Sequence, residues 1–179
     1  LRDFSISYNN MGNALKDLGQ ARKALSYYEK ALKCKRDLYE KSGSELSLRE
    51  LSISYINMGN ILCDLYRYEY ALEYFARNMS GREQLYRLSA SDSNLSSLSV
   101  AYNNYGFALC ELGKFKEAME YLEKALQYME ELHRKNPTKN TQLELVSRWR
   151  NLTKALLGAK RLKEALEYGK KAIELDREL

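Results

Sequence analysis

Apolar residues recur along this chain at steps of three and four, the spacing that places side chains on one face of an α-helix. The first series consists of Phe4, Tyr8, Met11, Leu15 and Leu18. Gly19 interrupts it, and a second series starts at Ala21. Gly43 is suited to a helix C-terminus and Ser44 to the following N-cap. Residues 2–41 are therefore predicted to form a hairpin of two helices.

This pattern occurs four times, and each copy begins 47 residues after the previous one. The clearest marker is a column of small residues, Gly12, Gly59, Gly106 and Thr153. A unit repeated at a constant interval indicates stacked modules that share a continuous core. We therefore expect an all-α chain, a single solenoid over residues 1–179 made of four helical hairpins. The predicted repeats cover about residues 1–43, 44–90, 91–137 and 138–179.

Small residues predict how the two helices of each hairpin meet. A mid-helix glycine costs about 1 kcal/mol relative to alanine, so its presence indicates a close approach of two backbones. The expected small partners on the second helices are Ala24, Ala71, Ala118 and Ala165. Thr153 and Gly169 break this scheme, so the fourth hairpin is expected to pack less tightly. Thr141 and Glu144 have capping-box spacing, which predicts that its first helix begins there.

The composition is that of an ordinary folded chain, with 30% charged and 45% apolar residues. The net charge of +5 is mild, and acidic residues lie among the basic ones, so no segment resembles a nucleic-acid-binding arm. Three widely spaced cysteines argue against a disulfide framework and for a reducing compartment. No run approaches the ~18 apolar residues that span a bilayer. We expect a cytoplasmic location and no membrane partner.

Residue types that support catalysis or metal binding are sparse. His133 is the one histidine and lies among charged residues near the end of a predicted helix. Cys63 and Cys110 occupy equivalent positions, but neither has the spacing of a zinc site or a nearby histidine as base. We therefore predict no catalytic residues, no metal site, no cofactor and no enzyme activity.

The order of residue types within a repeat resembles the tetratricopeptide repeat. In the second copy the resemblance rests on Tyr55, Met58, Gly59, Leu62, Ala71 and Phe75. The usual unit has about 34 residues, and longer repeats such as these resemble those of kinesin light chains and of bacterial regulators. The resemblance implies a right-handed superhelix with the first helices on its concave wall. It also implies a non-enzymatic scaffold that binds an extended peptide or protein segment in that groove.

A second stripe on the first helices is the candidate binding surface. In the first repeat it consists of Ile6, Asn10, Asn13 and Asp17. At the helical angle per residue, this stripe points about 150° away from the apolar face. Asparagine occupies one of its positions in every repeat, as Asn10, Asn57, Asn104 and Asn151. Asn13 has an asparagine equivalent, Asn60, in the second repeat.

The asparagine column favours a binding role, because asparagine is about 0.6 kcal/mol worse than alanine in a helix. An amide can bond both the N–H and the C=O of an extended peptide. The family resemblance implies the same role, since an asparagine at this position often holds the ligand backbone. The alternative is that the column is an exposed relic of duplication.

Charged residues in the stripe predict what the ligand carries. The acidic column consists of Asp17, Asp64 and Glu111. It favours a ligand with Lys or Arg, although it could serve solubility alone. The fourth repeat instead carries Arg148, Arg150 and Lys154. Arg150 and Lys154 are one turn apart and could seat a carboxylate or phosphate.

One variant of the family clamps a C-terminal carboxylate with lysine and arginine at set positions in the groove. Here those positions hold Asn9, Ile6, Val100 and Asn104. The clamp is missing, so binding of chaperone tails is not predicted.

Two other functions stay open. Leu179 matches Leu38, Leu85 and Leu132, and the last predicted helix would continue beyond it. The chain is thus expected to be an excerpt, or its C-terminal end is covered by another chain, including a second copy through self-association. An excerpt would suit the sensing or targeting module of a larger enzyme or transcription regulator. RNA binding is the remaining candidate, and the asparagine column with its acidic neighbours argues against it.

Overall fold

The computed structural model describes residues 2–177, which form eight α-helices and, within that range, no strand. The helices are α1 (Arg2–Asp17), α2 (Ala21–Ser42), α3 (Glu45–Asp64), α4 (Tyr68–Leu88), α5 (Asp92–Glu111), α6 (Phe115–Lys135), α7 (Lys139–Gly158) and α8 (Leu162–Arg177). Short turns join them, and each predicted repeat contains one pair of helices. The all-α prediction is confirmed.

The chain divides into two compact units, and each contains two hairpins. The first unit ends at Arg87, one residue before the end of α4, and the second begins at Leu88. Within the first unit, α2 packs on α3, and within the second, α6 packs on α7. The second helix of one hairpin thus contacts the first helix of the next. That both units form one domain stays a prediction.

The boundary between the first two hairpins lies where the sequence predicted it. Gly43 has a φ of 55°, and its N–H donates to the carbonyl oxygen of Tyr39, which closes α2. Glycine adopts this left-handed conformation without steric cost. The Ser44 hydroxyl then accepts a hydrogen bond from the N–H of Ser47 at 3.2 Å and caps α3.

The start of α7 differs from the prediction. Thr138 is the N-cap, and its hydroxyl accepts from the N–H of Thr141 at 3.2 Å. The Thr141 hydroxyl in turn accepts from the N–H of Thr138 at 2.9 Å. The capping box is therefore three residues earlier than the predicted Thr141–Glu144 box, which was wrong. Two threonine hydroxyls satisfy the end N–H groups, and no glutamate is needed.

The core of the first unit lies between α2 and α3. From α2 it contains Ala24, Tyr28 and Leu32, and from α3 it contains Leu51, Met58 and Ile61. Steps of three, four, seven and eight place each set on one helix face. Burial of a large apolar side chain contributes about 1.5–3 kcal/mol relative to exposure. This interface therefore holds neighbouring hairpins together.

The mid-helix glycines make room for large side chains on the second helix. A Cβ atom on Gly12 would lie 2.7 Å from the ring of Tyr28, and one on Gly59 would lie 2.3 Å from the ring of Phe75. The third hairpin has the same arrangement, with a leucine as the neighbour. The predicted close approach is confirmed. The tightest contact, however, is with a bulky residue one turn beyond the predicted alanine.

The fourth hairpin reverses this arrangement. Thr153 stands on α7 where the other first helices have glycine, and Gly169 stands on α8 where the others have Tyr, Phe or Leu. The Thr153 Cγ2 atom is 3.7 Å from the place where a Cβ of Gly169 would lie. The threonine methyl group therefore fills part of the gap that was expected to loosen this hairpin.

Candidate functional site

The polar stripe of the first helices lies on the surface of the first unit. Ile6 and Ile53 are 47% and 43% exposed, and Asn10 is exposed beside them. In the second unit Asn104 and Asn151 are half-buried, as is Asn57 in the first. These side chains lie away from the core of their own hairpins, so a ligand could reach them.

Two of the four predicted asparagines are held by an asparagine of the preceding first helix. Asn57 Nδ2 donates to Asn9 Oδ1 at 2.9 Å in the first unit. Asn151 Nδ2 donates to Asn103 Oδ1 at 2.9 Å in the second. Each bond joins neighbouring first helices and fixes the amide plane. It uses one N–H of the donor amide, which also has a second N–H and an acceptor oxygen.

The second asparagine column is bonded within its hairpin. The Tyr28 hydroxyl donates to Asn13 Oδ1 at 2.7 Å. Asn60 is half-buried at the equivalent position, where Phe75 stands in place of the tyrosine and has no hydroxyl. The Tyr28 hydroxyl thus orients the Asn13 amide, whereas Phe75 offers no such bond to Asn60.

The acidic column is partly neutralised by lysines of neighbouring first helices. Asp64 lies 3.5 Å from Lys16, and Glu111 forms an ion pair with Lys154. Burial, followed by the charges of Asp17 and Asp64, raises the pKa of the Tyr28 hydroxyl. The two aspartates therefore lie close enough to act on one group.

Arg150 and Lys154 point to different helices. Arg150 Nη2 lies 2.7 Å from Asp176 Oδ2 on α8. Lys154 pairs with Glu111 on α5, and its ammonium lies 5.3 Å from the centre of the Phe107 ring. An anion seated between them would compete with both carboxylates. The carboxylate or phosphate seat stays a prediction.

A cavity of about 120 Å³ opens between α1 and α3 of the first unit, with α2 at its side. It is lined by Ser5, Ile6, Asn9, Asn10, Lys35, Glu50, Ile53 and Ser54. Its lining contains three members of the predicted stripe, Ile6, Asn10 and Ile53, and also an ion pair. The volume is that of one side chain of a bound segment rather than of a cofactor.

The ion pair in this wall was missed by the sequence analysis. Lys35 Nζ on α2, although buried, lies 2.8 Å from Glu50 Oε2 on α3, and Arg2 Nη2 lies 2.8 Å from the other carboxylate oxygen. Burial opposes ionisation of Glu50, but hydrogen bonds from Lys35 and Arg2 outweigh it and lower the pKa of the carboxyl. A lysine inside the apolar series of α2 was the available signal.

The second unit also has a buried ion pair at this place in the repeat, but different residues form it. Met129 stands at the position of Lys35, and Arg148 at the position of Ser54. Arg148 is 3% exposed, with Nη2 2.7 Å from Glu144 Oε2 and Nε donating to the Ser99 hydroxyl at 3.3 Å. Burial lowers the pKa of its guanidinium. The expectation that Arg148 adds positive charge to the binding surface was wrong, because the side chain is buried.

His133 lies in the last turn of α6, with Nδ1 2.9 Å from the Thr141 hydroxyl oxygen of α7. It joins two helices at the start of the fourth hairpin. Among residues 2–177, no helix is both long and apolar enough to cross a membrane.

Two family models match the chain, and both are described as tetratricopeptide repeat. One matches residues 6–42 and 52–86, and the other matches residues 97–178. No curated protein matches the sequence.

Solved structures share the fold. The chain is 20% identical to BtubC (BKLC) from P. vanneervenii, with a TM-score of 0.76, and the match covers 97% of this chain and 63% of that one. It is 19% identical to the apo form of RapI, with a TM-score of 0.77, covering 99% of this chain and 57% of the other. The chain therefore spans less than two thirds of either length. At these identities the likeness shows the fold, an all-α solenoid of helical hairpins.

Proposed function

The chain belongs to the tetratricopeptide repeat family, and from this membership we propose that it is a non-enzymatic scaffold for protein–protein interaction. Its partner is an extended peptide or protein segment, bound across the first helices by the asparagine column. The observation that carries this proposal is the amide pairing, in which Asn57 and Asn151 are each held by a neighbouring asparagine.

Pairing prepares the amides for a ligand. A side chain whose plane is already fixed loses less conformational entropy when a ligand bonds to it. The second N–H of Asn57 and its carbonyl oxygen then match the C=O and N–H of an extended backbone. Such bonds do not depend on the ligand sequence, so they provide affinity without specificity.

Side-chain selection would come from the surroundings of the amides. The cavity beside Asn9 and Asn10 has apolar walls from Ile6 and Ile53, which suit a small aliphatic side chain. Asp17, exposed on α1, favours lysine or arginine further along the ligand.

In the second unit the acidic column contains Glu111, which forms an ion pair with Lys154. A ligand cation there must compete with that lysine. Arg150, paired with Asp176 on α8, is more accessible to a ligand carboxylate.

The test uses a library of labelled extended peptides and measures binding by fluorescence anisotropy. Asn104→Ala removes an amide, and its unfolding free energy should stay the same or rise by up to about 0.6 kcal/mol. Binding should weaken by about tenfold, the equivalent of one or two lost hydrogen bonds. Asn140→Ala, an exposed asparagine in the first turn of α7, is the matched control and should bind as wild type.

Asn57 and Asn9 separate a structural role from a binding role. Asn57→Ala and Asn9→Ala break the same hydrogen bond, so they should change stability to a similar extent. Asn57→Ala also removes the amide that bonds the ligand, whereas Asn9→Ala only frees the plane of that amide, so Asn57→Ala should weaken binding more. Equal binding by both variants, or by Asn104→Ala and wild type, would contradict the proposal. Salt-dependent binding of an RNA oligonucleotide by the wild type would favour nucleic acid instead.

A further inference from the structure

A second cavity of the first unit opens between α2 and α4, and we call it the α2–α4 groove. Its volume is about 400 Å³, within the range of about 300–1,000 Å³ that is usual for ligand sites. Its lining contains no member of the asparagine column or of the acidic column. The groove is therefore a different surface from the one in the proposed function.

Apolar and aromatic side chains form most of the groove. Met58 and Leu62 of α3 are buried and form its base, and the half-buried Leu25 of α2 continues this apolar surface. Tyr74 of α4 is half-buried, and Tyr70, one turn earlier, is 60% exposed. A cavity beside two tyrosine rings suits a large apolar side chain, above all an aromatic one, because aromatic rings pair favourably edge to face.

The charged residues of the groove are Glu29 on α2 and Arg67, which directly precedes α4. Both side chains are exposed. Within residues 2–177, the Arg67 guanidinium has no ion pair and no side-chain hydrogen bond. An unpaired arginine beside an apolar cavity is well placed to orient an anionic ligand that enters the cavity.

The equivalent place in the second unit shows how such an arginine is held. Arg161 is the equivalent of Arg67, and Met119 is the equivalent of Leu25. Arg161 Nε donates to Glu164 Oε1 at 2.7 Å, and a second N–H of the guanidinium donates to the other carboxylate oxygen. Nη1 of the same side chain lies 3.5 Å from the Met119 sulfur. The carboxylate thus holds the guanidinium over the apolar surface and covers it.

A second carboxylate also acts on this arginine. The hydrogen bond with Glu164 is the main cause of the raised pKa of the Arg161 guanidinium, and the charge of Glu123 on α6 adds to it. Glu123 is the equivalent of Glu29, whereas Tyr70 stands in the first unit where the second has Glu164. This place in the repeat therefore accommodates one arginine with two carboxylates, and the first unit supplies only one of them.

We propose that the α2–α4 groove binds a partner segment in which a large apolar residue stands next to an aspartate or glutamate. The apolar side chain enters between Leu25 and the two tyrosines, and the carboxylate pairs with Arg67 as Glu164 does with Arg161. The apolar contact supplies most of the affinity, and the arginine selects acidic segments. This binding does not depend on the asparagine column, so either surface can function without the other.

The experiment is NMR spectroscopy of the 179-residue chain labelled with ¹³C at its methionine methyl groups. Met58 reports on the groove, and Met119 reports on the equivalent place that Arg161 covers. The probe is a pentapeptide with blocked ends and the sequence Ser-Glu-Phe-Glu-Ser, raised to about 2 mM because a single small site binds weakly. We expect a saturable shift of the Met58 signal and none of the Met119 signal. The same peptide with glutamine in place of both glutamates should bind at least about threefold more weakly.

Replacement of the arginine tests the charge selection. Arg67→Gln should weaken binding of the acidic peptide at least about threefold and leave binding of the glutamine peptide unchanged. Arg36→Gln removes another exposed cation of the same unit, about two turns beyond Glu29 on α2. It is the matched control and should bind both peptides as wild type.

Exchange of the residues that differ between the units tests the comparison between them. Tyr70→Glu gives Arg67 a carboxylate three residues away, as in the second unit, and should abolish the shift of the Met58 signal. Glu164→Tyr should release Arg161, so the acidic peptide should then shift the Met119 signal as well.

A Met58 signal that stays in place with both peptides would overturn the proposal. So would equal binding of the acidic and glutamine peptides, or an Arg67→Gln variant that binds the acidic peptide as wild type does, because the groove would then accept apolar segments regardless of charge. Tighter binding of Ser-Lys-Phe-Lys-Ser would mean that Glu29 selects the ligand, and it would overturn the proposal too. Wild-type binding by Tyr70→Glu would refute the role given to the carboxylate of the partner.

Discussion

Gly59 and Gly169 allow the same substitution to be tested in two opposite environments. Both lie within helices, α3 and α8, so replacement by alanine gains about 1 kcal/mol of helix propensity at each. At Gly59 the new methyl group would meet three ring atoms of Phe75, the nearest at 2.3 Å. Ordinary contact begins at 3.4 Å, so the ring edge must move by about 1 Å in a close-packed core.

The expected effects have opposite signs. Overpacking of this kind costs about 1–3 kcal/mol, of which helix propensity offsets about 1 kcal/mol. Gly59→Ala should therefore lower the free energy of unfolding by up to about 2 kcal/mol. At Gly169 the neighbour is 3.7 Å away, so Gly169→Ala should raise it by up to about 1 kcal/mol.

Urea titration followed by circular dichroism measures both changes, and amide hydrogen exchange locates each one to its own hairpin. Phe75→Leu provides a second variant with a smaller side chain. Combined with Gly59→Ala, it should cost less than the sum of the single changes by about 1 kcal/mol. If Gly59→Ala is about 1 kcal/mol more stable than wild type, the gain expected from helix propensity alone, or if the two changes are additive, the steric explanation of the glycine column is refuted.

Two further predictions concern ionisable groups. Glu50→Gln leaves Lys35 buried without its counter-charge and should lower the free energy of unfolding by about 2 kcal/mol at pH 7, whereas Glu45→Gln, in an exposed pair of the same helix, should cost under about 0.5 kcal/mol. Because the folded state lowers the pKa of Glu50, the wild-type chain should be more stable than Glu50→Gln above pH 4.5, the ordinary pKa of the carboxyl. This difference in unfolding free energy should decline as the pH falls below 4.5. A difference that stays constant down to about pH 3 would contradict this. Burial, with the charge of Lys154 opposing it, raises the pKa of the Cys110 thiol to about 11. Mass spectrometry should therefore show iodoacetamide modifying it at least about tenfold more slowly than the half-buried Cys63, and equal rates would disprove the effect of burial.

The order and boundaries of the helices could be predicted from the sequence because they depend on local interactions. Apolar steps of three and four define a helix face without reference to the rest of the chain. Gly43 and Ser44 end one helix and begin the next through bonds to residues within four positions. Because the pattern repeats every 47 residues, the helices predicted for one hairpin also predict those of the other three. The start of α7 was misplaced by three residues because two capping patterns overlap there, and only the backbone geometry selects Thr138.

The asparagine column was also visible in the sequence, but its bonds were not. Asn57 meets Asn9 rather than Asn10 because of the stagger between two first helices, and that stagger results from the packing of α2 between them. The same holds for Arg150, which faces Asp176 of α8 and not Lys154.

The sequence by itself determined that this chain is a repeated helical hairpin and which positions point away from each hairpin's core, because periodicity is a property of single helices. Only the tertiary structure decided which polar side chains stay accessible. Arg148 stands at a repeat position that holds small residues in the other hairpins, yet its guanidinium is buried and pairs with Glu144. In the first unit, the corresponding buried ion pair joins Lys35 and Glu50. A buried charge needs a partner from a neighbouring turn or helix, and its identity depends on distances between elements that the order of residues does not specify.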